Sequence, residues 1–393
     1  MKATRMDAQR FAGTHLDMGM QQGKAYAEAM HGGLESFKGL EALRTMKPRL
    51  IPAGFFLWIA GGMAKRFLEP IYARYAPRQR ERVKGIARGA GIRERYAWFF
   101  SSSEIVLGIN DYEVPLACGC TTVALKPSLA ASGHATIARN FDFASFVVPY
   151  LRVRRNEPAG LLRSMDITAA PLPGTFNGFN EAGVFISTNE AFPVAEGIRE
   201  PGLPASAIIQ EALETANTTQ EAIDVFKRLP RGSCNIITIA DRHGEAVSLE
   251  YTSKEIHEVV PGDGEGFLVA TNHYITPGLA AIDLPLNAVF GNKSPRSLRG
   301  TCINKTSVTR RGTATAWFKG KAGKPGSITP EDLQSLLRDH SANAGIGGME
   351  TICHHDPENI SAASMIVDLA SREMWACFGL PCEHAYEHVQ FEG

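Results

Sequence analysis

From Pro115 to Leu125 the chain reads PLACGCTTVAL: two thiols, Cys118 and Cys120, flank one glycine, and an apolar β-type run follows. A thiol so placed serves as a metal ligand, half of a redox pair, a small buried hydrophobe, or a nucleophile heading a strand. One intervening residue is short for zinc, whose paired sulfurs usually stand about two to four residues apart. The runs CHH at 353–355 and PCEH at 381–384 carry ligand types, but no second correctly spaced pair accompanies them. No metal and no organic cofactor is therefore expected. A redox role finds no supporting neighbourhood. Core packing and nucleophile remain.

Downstream residues favour the nucleophile. The run ARNFDF places Arg139 and Asp142 within a hairpin's reach of Cys120. An arginine stabilises a thiolate, and an aspartate orients and holds an ammonium group. Asn189 ends GVFISTN and Asn272 follows LVAT, so both sit at strand ends, where an amide can donate to a developing oxyanion. Each residue also has a plainer role: Arg139 and Asp142 as a surface ion pair, the asparagines as turn formers. Cys118 reads as packing at the strand entry, and Cys234, Cys302, Cys353, Cys377 and Cys382 as buried. His354 and His355 read as part of a turn near the chain end.

The elements that must position these groups fall into three stretches. Residues 1 to about 110 read as helical, with apolar residues at three- and four-residue spacing in LDMGMQQGKAYAEAMHGGLESF and APRQRERVKGIARGAGI, and glycines as stops. The apolar stretch IPAGFFLWIAGGMA (51–64) is too short to span a bilayer and reads as a buried helix or a lid. From residue 118 short β runs appear, with FNEAG and DRHGE as hairpin turns. Two helices interrupt them, PASAIIQEALETA and TTQEAIDVFKRLP, the second capped by Thr218 or Thr219. The third stretch begins near residue 300 with a basic, glycine-rich loop, RRGTATAWFKGKAGKPGS, followed by the helix TPEDLQSLLRDHS and two strands. Strands, a helix layer and further strands predict an α+β fold with stacked sheets.

Composition narrows the classes of function. With 393 residues and 44% hydrophobic content the chain can bury a large core, and its zero formal net charge gives no electrostatic case for nucleic acid or an anionic membrane. Seven scattered cysteines do not suggest a disulfide scaffold, and the first residues carry no apolar signal core. A reducing, cytoplasmic location is expected.

In order, Cys120-Thr, Arg139-Asn-x-Asp142, GFNEAGVFIS with Asn189 just after, TNHY around Asn272, and SPRSLR resemble the N-terminal-nucleophile (Ntn) cysteine hydrolases. Within these the sequence is most similar to the isopenicillin-N acyltransferase family (acyl-coenzyme A:6-aminopenicillanate acyltransferase-like), with the choloylglycine hydrolases as cousins. The closing stretch TICHHDPENISAASMIVDLASREMWACFGLPC and the early GTHLDMGMQQGKAYAEAM are also similar to that family, so the resemblance spans nearly the whole chain.

The resemblance implies a four-layer αββα sandwich with a mainly helical N-terminal pro-segment, and a precursor that cuts itself at Gly119–Cys120. Residues 1–119 would form a small chain and 120–393 a large one, the two remaining associated. The freed α-amine of Cys120, with a reference pKa of about 7.7–8.0, would act as base for its own thiol. Asn272 with Asn189 would hold the oxyanion, Asp142 the α-ammonium, and Arg139 would stand beside the sulfur. A late arginine would complete the site: Arg296 in preference to Arg299, with one residue fewer after the serine than the family usually has. The implied reaction cleaves or transfers an acyl group at a linear amide of a small N-acyl substrate, an acyl-coenzyme A being an admissible donor. Two other readings stand beside it: a non-catalytic module on the same fold, and an unbroken enzyme with His134 or His273 as base.

Overall fold

In a computed structural model, the described residues are 6, 8–40, 43, 47–105, 119–195, 198, 200–292, 294, 296–321 and 324–391. Two sheets are stacked between two helical layers. The larger has eight strands in the order β1 (Gln9–Gly13), β4 (Leu151–Pro158), β5 (Ser164–Ala169), β6 (Asn177–Asn180), β7 (Val184–Glu190), β8 (Asn235–Asp241), β9 (Ala246–Tyr251), β10 (Ile256–Val259). The smaller has six, β11 (Phe267–Ala270), β2 (Gly119–Leu125), β3 (Thr136–Ala144), β12 (Asn359–Asp368), β13 (Glu373–Phe378), β14 (Glu387–Gln390). All pairs are antiparallel except β1 with β4.

Alternation along each strand builds the layers. Leu151, Val153, Phe179 and Phe185 of the large sheet share one core with Ala124, Ile137 and Met365 of the small sheet. On the large sheet's other face Ile186, Ile237 and Leu249 meet the helices α6 (Ala205–Thr215) and α7 (Thr219–Arg228). On the small sheet's outer face Val123, Ala138 and Ile366 meet α8 (Asn304–Lys321) and α9 (Pro330–Leu337). The fold is the expected αββα sandwich.

The N-terminal segment adds α1 (His15–Ala25), α2 (Ala27–Gly39), α3 (Ala53–Tyr75), α4 (Pro77–Ala90) and α5 (Glu94–Ser101). It is not wholly helical, because β1 extends the large sheet. Glycines read as stops prove to be contact points. A Cβ at Gly19 or Gly23 would overlap the backbone of α4, and one at Gly85 or Gly89 that of α1, so the two helices meet backbone to backbone. Only Gly91, at φ +66°, ends α4 as a left-handed cap. The 51–64 stretch continues as α3 through Pro70 to Tyr75. No helix among the described residues is long and apolar enough to cross a membrane.

A larger departure lies at 310–327. The glycine-rich basic stretch is mostly the helix α8, because Ser307, Arg310, Ala314 and Phe318 recur at helical spacing and are buried on one face, while Gly312 and Gly320 meet no neighbour. Of the cysteines expected to be buried, Cys382 is exposed and Cys302 half-buried; Cys118 falls outside the described residues.

Candidate active site

The β2–β3 register sets the site. Gly119 pairs with Asp142, Cys120 with Phe141 and Thr122 with Arg139. Cys120, Thr122 and Arg139 therefore share the inner face, while Thr121 and Asp142 share the outer face beneath α8. Both arginines that bracket Cys120 follow from this alternation, one from each side of the sheet.

On the inner face, Arg139 donates from Nη2 to the Cys120 sulfur at 3.2 Å and to the Thr188 carbonyl at 2.6 Å. Its Nη1 donates to Asn189 Oδ1 at 2.6 Å and to Thr122 Oγ1 at 2.7 Å. The Asp142 backbone also hydrogen-bonds the sulfur. Asn189 donates through Nδ2 to the carbonyls of Cys120, at 3.3 Å, and Ala270, at 3.2 Å.

On the outer face, Arg310 of α8 donates to the Cys120 carbonyl at 2.6 Å, to Thr121 Oγ1 at 2.9 Å and to Asn272 Oδ1 at 2.9 Å. That same Oδ1 accepts the Cys120 backbone N–H at 2.7 Å. Asp142 accepts from Ser361 at 2.6 Å through Oδ1, and its Oδ2 has no hydrogen-bond partner and lies 3.9 Å from Arg310. A Cβ at residue 119 would stand 2.9 Å from that Oδ2, which is why glycine precedes the cysteine.

Electrostatics around the sulfur are opposed. Burial pushes the Cys120 thiol up, Arg139 pulls it down, and Asp142 pushes it up again. Burial lowers both Arg139 and Arg310, and the nearby Asp142 and Cys120 counter it.

The structure thus gathers Cys120, Arg139, Asp142, Asn189 and Asn272. It does not bring Arg296 into this group: that residue is exposed on the turn after Ser294, and Arg299, also exposed, donates to the Ser294 carbonyl. The late-chain arginine at Cys120 is Arg310, hidden at the sequence level by the loop reading of 310–327. No apolar stripe in the sequence marks this helix, since the face formed by Ser307, Arg310, Ala314 and Phe318 is buried only once the sheet lies beneath it. Neither histidine proposed as a base reaches the sulfur. His134 pairs with Asp368 at 3.1 Å, and His273 bonds Ser307 through Nδ1 at 2.7 Å, burial holding its pKa down to about 4.

Two cavities meet here. A small cleft of about 50 Å³ is lined by Cys120, Ser103, Glu104, Glu190, Ser233 and Asn235, together with three phenylalanines. Those three, Phe141, Phe143 and Phe176, also line an apolar cavity of about 820 Å³ walled by residues such as Phe37, Phe56, Phe67 and Tyr150. Of the four aromatic and aliphatic residues at 55–58, Phe56 faces this cavity and Leu57 is buried. Phe55 and Trp58 stack on each other at the surface.

A model of the acyl-coenzyme A:6-aminopenicillanic acid acyl-transferase family matches residues 129–307. Over these residues, somewhat less than half of its length, the chain is similar to that family. The matched span holds Arg139, Asp142, Asn189 and Asn272, and stops short of Cys120 and Arg310. Three solved structures are similar to the chain. An N-acylethanolamine-hydrolyzing acid amidase ortholog from Caenorhabditis elegans matches at 16% identity and TM-score 0.44, over 64% of this chain and 93% of its own. A mutant of conjugated bile acid hydrolase from Clostridium perfringens matches at 13% and 0.43, over 69% and 92%. Penicillin V acylase from Agrobacterium tumefaciens matches at 14% and 0.41, over 69% and 86%. Comparison with curated proteins gives no match.

Proposed function

We propose that the chain is a self-processing cysteine hydrolase or acyltransferase that acts on a linear amide with a bulky apolar acyl part. One observation carries the reading: the Cys120 sulfur lies 3.2 Å from Arg139 in a small cleft that shares three phenylalanines with a large apolar cavity. The acyl chain would occupy the cavity. The amine part would face the cleft.

In processing, the Cys120 sulfur attacks the Gly119 carbonyl carbon. A C–S bond forms, the C–N bond breaks, and the thiol proton passes to the nitrogen. One water then hydrolyses the thioester, leaving a Gly119 carboxylate, a thiol and a free α-amine. Asn272 Oδ1 already accepts from that nitrogen, and the unpartnered Asp142 Oδ2 stands ready for its added charge. The parts would stay together, since β1 is a strand of the large sheet and α1 and α4 share its helix-side core.

In turnover the amine takes the thiol proton, the sulfur adds to the substrate carbonyl, and the amine returns the proton to the leaving nitrogen. Water or an acceptor resolves the acyl-enzyme. An amide nitrogen has two hydrogens. Asn272 gives one to the Glu190 carbonyl at 3.0 Å and keeps the other for an oxyanion, whereas both of Asn189's are engaged within the fold.

Intact mass and N-terminal sequencing test this directly. Purified protein should separate into two chains, the larger beginning Cys120-Thr-Thr, and Cys120→Ala should stay whole. Amine release from N-acyl amines of graded acyl length would then define the substrate. A wild-type chain that stays whole and inert toward a thiol reagent would leave a non-catalytic module on this fold.

A further inference from the structure

Metal ligation does not suit Cys118 and Cys120, but it suits a different group of residues. His340 follows α9, Cys353 and His355 lie on the loop before β12, and Cys382 lies on the turn after β13. The two ring nitrogens and two sulfurs all fall within 4.8 Å of one another. His355 Nε2 is 3.1 Å from His340 Nε2, 3.4 Å from Cys353 Sγ and 3.4 Å from Cys382 Sγ. A ring nitrogen has one proton or one lone pair in its plane, so hydrogen bonding cannot satisfy three partners at once. A shared cation can. Tetrahedral zinc with Zn–S of about 2.3 Å and Zn–N of about 2.0–2.1 Å separates its ligand atoms by about 3.3–3.8 Å.

We propose that His340, Cys353, His355 and Cys382 form a Cys₂His₂ site for a borderline-soft divalent cation, zinc by preference. Two sulfurs and two imidazoles disfavour calcium and magnesium, which take oxygen ligands. Four protein ligands leave no open position, so the site is structural and not catalytic. The surroundings are shaped for it. A Cβ at Gly347 would overlap the His355 ring, and Cys353 is buried while Cys382 is exposed, giving a metal a way in.

The site would clamp three loops at one place. It also abuts the reaction centre: the N–H of His354, between two of the ligands, donates to Ser361 Oγ at 2.9 Å, and Ser361 donates to Asp142. The sequence concealed the group because its ligands fall at 340, 353, 355 and 382, unlike the paired spacing of common zinc motifs.

The test uses the full-length Cys120→Ala chain, which removes the nucleophile as a competing ligand. Elemental analysis and competition against a chromophoric chelator should give one zinc per chain. Cobalt(II) should give tetrahedral d–d bands with thiolate charge transfer. Cys353→Ser, Cys382→Ser and His355→Ala should each weaken zinc binding by more than about a hundredfold, beyond the effect of losing an outer-sphere partner. Should a variant fail to fold, the cobalt spectrum of the parent chain decides. Substoichiometric zinc, an octahedral cobalt spectrum, unchanged affinity after both serine substitutions, or a Cys353–Cys382 disulfide in protein alkylated at lysis would each overturn the proposal.

Discussion

Two fully buried arginines among the described residues, Arg154 and Arg139, are neutralised in opposite ways. Under α1 and α4, Arg154 meets Asp166 through two parallel bonds of 2.8 and 3.0 Å, and Arg82 bonds Gln22 and Asn156. Burial, and then Arg154, bring Arg82 down to about 9. Around Cys120, Arg139 bonds amide, hydroxyl and carbonyl oxygens and a sulfur, with no carboxylate among them, and Arg310 stands 3.9 Å from Asp142. A fork closed by a carboxylate fixes structure. Arg139, without one, keeps its field for the Cys120 sulfur 3.2 Å away, where it favours the thiolate.

The sharpest break of the comparison is Cys120→Ala. It should abolish processing and lower turnover by on the order of 10⁴-fold or more, while stability measured by denaturation hardly moves. Asp166→Ala should do the reverse. Leaving Arg154 buried and unpaired should cost about 3–5 kcal/mol in urea or guanidinium unfolding, with the folded fraction still able to process itself. Asn272→Ala, by removing the oxyanion donor proposed above, should lower kcat by about 10²–10³-fold with a smaller change in KM.

Arg139→Met should move the midpoint of Cys120 alkylation to higher pH, because the field that lowers the thiol pKa is gone. Arg139→Lys should restore part of that shift. An unmoved midpoint would mean the guanidinium serves packing alone.

The smallest effect concerns Glu104, whose carboxyl burial raises from 4.5 to about 7. Below pH 4.5 both folded and unfolded states hold the proton. Between 4.5 and 7 the folded state holds it more tightly, so stability falls as pH rises through that window and levels off above it. Glu104→Gln should flatten this part of the thermal-midpoint profile.

Legibility in the sequence followed local pattern. The turns at FNEAG and DRHGE are fixed by Gly183 at φ +81° and Gly244 at φ +92°, and Thr218 caps α7 through the Glu221 N–H as its residue type suggests. Those signals act within a few residues, where backbone sterics decide. Cys120, Arg139 and Asp142 were legible for the same reason, since one hairpin carries all three. Arg310 was not. Its basic, glycine-dotted surroundings look like a loop until a sheet is present to bury one face, and helices of that composition owe their stability to packing more than to propensity.

By itself, then, the sequence determined the β runs, their turns, the α+β class and a hairpin bearing thiol, guanidinium and carboxylate, the αββα layering being implied by family resemblance alone. Tertiary structure decided which distant side chains complete them: Arg310 against the Cys120 carbonyl, and four ligand atoms from three loops converging within 4.8 Å. The physical reason is range. Dihedral preferences and side-chain periodicity act over a few residues, whereas the meeting of residue 120 with 310, or 340 with 382, depends on how whole layers stack.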